Sequence, residues 1–197
     1  KIYYMNVTVR AILFWILAFF ITAAAAVYQK TTGPTYPKKV TLKTDGGEVI
    51  LKLTRSSEGS ENCQLEYTIP DTAIYGQVEY RRYPTNDAFV KENLVRNGNL
   101  LTGSLPGQPP AGKVEYKVDF FKNGQLLNNP DEFHTVVRYK GFVPRGILIP
   151  HIFAMFFAML LANFAGIMAF AKRPRAKVYM WLTFSLLTIG GMIMGPL

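Results

Sequence analysis

Three blocks of this 197-residue chain are almost free of charge: Ala11 to Val27, Gly146 to Ala171 and Val178 to Leu197. Each approaches or exceeds the roughly 20 residues an α-helix needs to cross a hydrocarbon layer. They predict transmembrane helices at 11–28, 146–171 and 178–197, with residues 36–140 as a separate polar-surfaced domain between the first and second. A cleaved secretory signal is the competing reading of the first block, because Ala23 to Ala26 resembles a cleavage site. Its apolar stretch of 17 residues exceeds the roughly 7–15 of a signal core, which favours a retained anchor.

The net charge of +9 raises the question of nucleic acid, and the placement of the charge answers it. Of 22 basic residues, 14 lie within 36–140, where they meet all 13 acidic residues; the other eight flank the apolar blocks. That distribution is a membrane-topology signal and not a phosphate-binding stripe, so no nucleic-acid partner is expected. Lys1 and Arg10 precede the first block, and Lys172, Arg173, Arg175 and Lys177 fill the loop 172–177. The positive-inside rule puts these on the cytoplasmic side. The expected order is segment 1–10 inside, 36–140 outside, loop 172–177 inside and the C-terminus outside, which in a bacterium means the inner membrane with a periplasmic domain.

Within 36–140, apolar and polar residues alternate between turn signals. Eight strands are expected, at 38–44, 48–54, 63–69, 76–83, 89–95, 99–105, 113–121 and 133–140. In the clearest, Val114, Tyr116, Val118 and Phe120 face one way, and Lys113, Glu115, Lys117 and Asp119 face the other, so one side is buried and one wet. Asn123-Gly124 then supplies the positive-φ pair of a tight hairpin. Cys63, the sole cysteine, excludes an internal disulfide and a CxxCH haem site and reads as a small core residue.

At Ala111-Gly112-Lys113-Val114-Glu115-Tyr116-Lys117-Val118 the sequence resembles the sixth strand of immunoglobulin-like and fibronectin type III-like domains, where a tyrosine follows a Gly-containing turn. The resemblance spans about half the chain and lacks those domains' paired cysteines and core tryptophan. It implies a fold of three transmembrane helices plus an all-β immunoglobulin-like sandwich, with the Tyr116 hydroxyl tied to nearby backbone. The whole plan resembles bacterial membrane proteins with an exported immunoglobulin-like insert.

Fold class does not carry function. Binding, if any, belongs to the loops 55–62, 84–88 and 106–112. Asp131-Glu132-Phe133-His134 has metal-binding residue types, but on an extended chain only Glu132 and His134 share a face. Ser-His-Asp order, a Gly-rich phosphate loop and HExxH are all missing, so no catalytic residue is named and no enzyme is expected.

The helices contain no Asp, Glu, Lys or Arg within their apolar cores, unlike proton or ion pathways. Small residues recur instead: Ala154, Ala158, Ala162 and Gly166 on the second helix, Gly191 and Gly195 on the third, and Ala18, Thr22 and Ala26 on the first. Such ridges let helix backbones approach closely. Asn163, deep in the second helix, needs a hydrogen-bond partner on another helix or chain. Tyr28, Tyr139, Phe142, Tyr179 and Trp181 read as interfacial anchors. His151 follows Pro150 near a helix start; its plain role is an interfacial hydrogen bond, and its sharper one a ligand to haem or chlorophyll. No cofactor is otherwise expected.

These features point to a non-catalytic accessory or structural subunit of a larger bacterial membrane complex. Its partners would be the lipid bilayer and other integral membrane subunits. Two alternatives stand beside it. One is the N-terminal portion of a longer transporter or membrane enzyme, suggested by Lys1 and by the apolar end at Gly195-Pro196-Leu197; the other is an envelope sensor or binding module.

Overall fold

A computed structural model describes residues 6–195 of the chain, so Lys1 and the end at Pro196-Leu197 lie outside the described residues. The chain forms two compact units, one from the helical segments up to Thr32 and from Val143 onward, the other from Gly33 to Phe142. The helices are α1 (Val7–Thr32), α2 (Arg145–Phe170) and α3 (Ala176–Leu187), the last continuing as a π-helical segment Thr188–Ile193. All three are long and apolar enough to cross a membrane. The third is continuous helix in expectation but changes geometry at Thr188, just before the Gly190-Gly191 pair that relaxes the backbone there.

The turn after α2 shows why the loop 172–177 is tight. Lys172 takes the left-handed conformation at φ 52°, its N–H donates to the Ala169 carbonyl and that of Arg173 to the Met168 carbonyl, both at 2.9 Å. This Schellman arrangement satisfies terminal helix carbonyls, and Pro174 then bars continuation. Arg175 precedes α3, and Lys177 is exposed in its first turn.

The second unit is rich in β-sheet, with eleven strands in the described residues. They are β1 (Lys38–Thr44), β2 (Gly47–Leu53), β3 (Ser56–Glu58), β4 (Cys63–Thr68), β5 (Ile74–Arg82), β6 (Val90–Asn93), β7 (Val95–Asn97), β8 (Leu100–Leu105), β9 (Lys113–Lys122), β10 (Gln125–Leu126) and β11 (His134–Lys140). β1 and β2 form a hairpin; β4, β8 and β7 form a second sheet; and β3-β11-β9-β5-β6 form the largest, with β10 folding back on β9. Their inward rows meet in one core, in which Tyr67, Phe120 and Phe133 pack edge to face.

The expected strand 89–95 is in fact two. Leu94, buried in the core, is the pivot at which the chain leaves β5 as β6 and joins β8 as β7. Gly76 and Gly103 make room for it, since a Cβ on either would lie 2.6 or 2.5 Å from a Leu94 methyl. β3 lacks any apolar alternation and pairs in parallel with β11. Asn123 and Gly124 both take positive φ in the β9–β10 turn. Arg96 gathers the carbonyls of Ile69, Asp71, Ile74 and Gly98 with one guanidinium, holding the loop between β4 and β5.

Three hydroxyl and amide groups complete the framework. The Tyr116 hydroxyl donates to the Thr54 carbonyl at 2.9 Å, a tie to backbone near in space and 62 positions away in sequence. Tyr139 is buried in the core with its hydroxyl on the Pro106 carbonyl at 2.9 Å, which corrects its reading as an interfacial anchor. Asn128 replaces a strand: its Oδ1 accepts from Phe120 N–H at 2.7 Å and its Nδ2 donates to the Val118 carbonyl at 3.0 Å, where β11 has not yet begun. Asn128→Ala leaves both backbone groups unpaired and buried, so thermal unfolding of the full chain in detergent, followed on its β-sheet circular dichroism, should show a loss of about 2–4 kcal/mol. An unchanged melt would mean that water replaces the amide.

Candidate functional site

In the helical unit, the polar side chains of the spans find partners inside the chain. Asn163 Nδ2 donates to Thr22 Oγ1 at 2.9 Å, joining α2 to α1, and Thr22 Oγ1 donates to the Ala18 carbonyl at 2.7 Å. His151 Nδ1 lies 2.7 Å from the Gly190 carbonyl, joining α2 to the π-helical end of α3. An aromatic group locks all three helices: Trp15 of α1 stacks on Phe164 of α2 with centroids 3.9 Å apart, and Phe164 meets Tyr179 of α3 edge to face at 4.7 Å.

The small-residue ridge divides. Ala158 is fully buried and Ala154 touches α3, whereas Ala162 and Gly166 are exposed. The cause is helix geometry: at 3.6 residues per turn, each four-residue step drifts by roughly 40° around the axis, so a ridge of four such residues cannot face one neighbour along its length. Gly166 instead borders an apolar groove of about 540 Å³ with Phe14, Leu17 and Ile167, and a Cβ there would meet nothing within 4 Å. On the third helix the close contact belongs to Gly190, whose Cβ would lie 2.7 Å from that of Ala154. Gly191 is half-buried with Met155 Sδ 3.7 Å from its Cβ position, and Gly195 is exposed. The close contact thus falls on Gly190, which the sequence reading does not single out, and not on Gly191 or Gly195.

In the β unit, the three candidate loops converge. Gly107 N–H donates to Asn62 Oδ1 at 2.9 Å, and its Cβ position lies 2.1 Å from the Ser60 carbonyl oxygen, so the loops 55–62 and 106–112 interlock around a glycine. Asp87 and Ala88 join Pro106, Gln108 and Arg82 around a cleft of about 240 Å³. Gln108 is buried, with Nε2 donating to the Gly107 carbonyl at 2.8 Å.

The outer face of the largest sheet is less wet than alternation implies. Charged residues interlock across the strands: Glu79 stands between Lys91 and Lys117 across β6-β5-β9, and Glu115 faces Arg81 of β5 and is met diagonally by His134 of β11, whose register partner is Lys117. The Phe89 ring lies against this lattice, 4.5 Å from the Arg81 guanidinium and 5.8 Å from Lys117 Nζ. Burial pushes the Glu79 carboxyl up, but hydrogen bonds from Lys117 and Lys91 outweigh it and hold it below its ordinary value. Glu115 is treated the same way by Arg81 and His134. The Tyr80 hydroxyl, donating to Glu92 at 2.6 Å, is pushed up to about 12 by that bond and by burial. Thus His134 binds Glu115, and among the described residues no three His, Cys, Asp or Glu side chains are placed to hold a metal.

Asp119 is the exception in this lattice. It is 8% exposed, its Oδ1 is buried without a partner, and burial raises its pKa, with Glu79 adding repulsion.

No protein-family model matches the chain, and no curated protein matches it. Among solved structures, one of a candidate glycoside hydrolase from Bacteroides vulgatus is similar over 46% of this chain and 17% of that one, at 8% identity and a TM-score of 0.31. That likeness is too low to assign a fold or an activity.

Because the Asp119 pKa is raised on folding, its ionisation opposes the fold: stability is greatest below the unfolded value of about 3.9 and falls as pH rises through the folded one. Asp119→Asn should therefore raise the melting temperature of the chain at neutral pH and lose that effect at acid pH. Equal melts of variant and native chain at neutral pH would contradict the assignment.

Proposed function

We propose that the chain is a membrane-anchored, non-catalytic accessory subunit. Its helices dock to partner helices, and its β unit, an immunoglobulin-like sandwich on the non-cytoplasmic side of a bacterial inner membrane, contacts a partner through the loop cluster 55–62, 84–88 and 106–112. The observation that carries this reading is the use of Thr22, Asn163 and His151: each is engaged within the helical unit, which leaves apolar and small residues as what it offers outward. Side chains working a transport pathway would face a water-filled cavity instead. The Nδ1 contact of His151 gives it a packing role in this reading, joining two helices.

The open groove at Gly166 is the docking position for a partner helix, since a small residue on its border allows close backbone approach. Replacing Gly166 by Leu fills that groove without touching the Asn163–Thr22 or Trp15–Phe164 contacts. Native purification in mild detergent should recover the unaltered chain with a membrane partner at fixed stoichiometry, and Gly166→Leu should reduce that recovery about tenfold while the chain still inserts. An unaltered chain that purifies alone would overturn the proposal.

A further inference from the structure

One row of the largest sheet breaks the charge alternation of its neighbours. Lys113 of β9 stands directly opposite Arg138 of β11, both exposed on the outer face, and among the described residues neither has an ion-pair partner. Like charges facing each other across a strand pair are destabilising, whereas elsewhere on this face Glu79 stands between Lys91 and Lys117 and Glu115 faces Arg81. Lys140, two residues on from Arg138, points to the same face; Glu58 lies opposite it across the parallel pair without forming an ion pair. Tyr83 closes the row on the β5 side, with Lys113 Nζ 5.7 Å from its ring centroid.

Chain length bounds how far this row is from a membrane. Lys140 is joined to Arg145, the first residue of α2, by residues 141–144. Five extended residues reach about 17 Å, so the row ends within that distance of the start of a membrane-length helix. The connection carries Phe142, 85% exposed, and Val143, an aromatic and an apolar residue of the kind that seats at headgroup level.

We propose that Lys113, Arg138 and Lys140, with Tyr83, form a surface for the anionic headgroups of lipids. Phosphate groups neutralise the facing cations that no carboxylate among the described residues pairs, and each basic side chain near an anionic surface gains a modest, salt-sensitive attraction. The proposal rests on α2 being a transmembrane span, as the proposed function holds.

The test is amine acylation of the full chain in lipid nanodiscs, read residue by residue by mass spectrometry. In phosphatidylglycerol discs at low salt, Lys113 and Lys140 should react about fivefold more slowly than in phosphatidylcholine discs, and high salt should abolish the difference. Lys43 is the internal reference: it is exposed near the β1–β2 turn, whose Asp45 contacts Lys122 at the opposite end of β9 from Lys113. Arg138→Glu should remove the slowing at Lys113. Equal rates in the two lipids would overturn the proposal, as would the same slowing produced by inorganic phosphate in phosphatidylcholine discs, which would point to a free anion. A chain that enters neither disc would refute the spanning helices and this surface with them.

Discussion

The hydrogen bond from Asn163 to Thr22 is the contact on which the helical unit depends, because an amide in hydrocarbon has no water to turn to. Satisfying it fixes the rotation of α2 about its own axis and its height against α1. Once that is set, Ala18 and Ala158 fall between the helices, where their small size allows close approach, and Trp15 reaches Phe164. The His151 contact to Gly190 does the same for α2 and α3, and it uses a backbone carbonyl in the π-helical segment. Two polar contacts and one aromatic group thus determine three helices whose remaining surface is almost featureless.

The β unit solves a related problem on a sheet. A row of charged residues facing water would hold little structure, yet Glu79 and Glu115 are largely shielded, Glu79 between Lys91 and Lys117 and Glu115 between Arg81 and His134, with Phe89 laid across Arg81 and Lys117. Glu79 accepts from Lys91 and Lys117, and Glu115 from Arg81 with His134 beside it, so burial does not raise either carboxyl above its ordinary value. The lattice also makes its two exceptions visible. Asp119 is a carboxylate with too few donors, and the facing pair of Lys113 and Arg138 has cations with no carboxylate partner among the described residues.

Much of this was legible in the sequence, for reasons that differ by element. The helices announce themselves because hydrocarbon tolerates few residue types, and β9 because its alternation is strict. β3 and β10 are invisible to periodicity: Ser56-Ser57-Glu58 is held by parallel pairing to β11, and Gln125-Leu126 only by the turn before it. The split at Leu94 depends on two distant glycines, Gly76 and Gly103, which no local pattern connects. In the helices, small residues at four-residue intervals look like one ridge on paper, but drift around the axis sends Ala158 inward and Gly166 outward. That Asn163 needs a partner follows from its position; that Thr22 supplies it follows only from the antiparallel packing. Asn128 gave no signal at all, since its role is to imitate a strand that is missing.

The central claim is that the chain crosses a membrane three times, with residues 33–142 on one side and the loop 172–177 on the other. Labelling with a membrane-impermeant thiol reagent in intact cells tests it most directly, in a chain where the buried Cys63 is replaced by Ser and a single cysteine is placed at Asn86 or at Arg173. The account predicts that the cysteine at position 86 is labelled once the outer barrier is permeabilised, and that the one at position 173 is labelled only after the membrane is dissolved. Labelling of both positions under the same condition would contradict it.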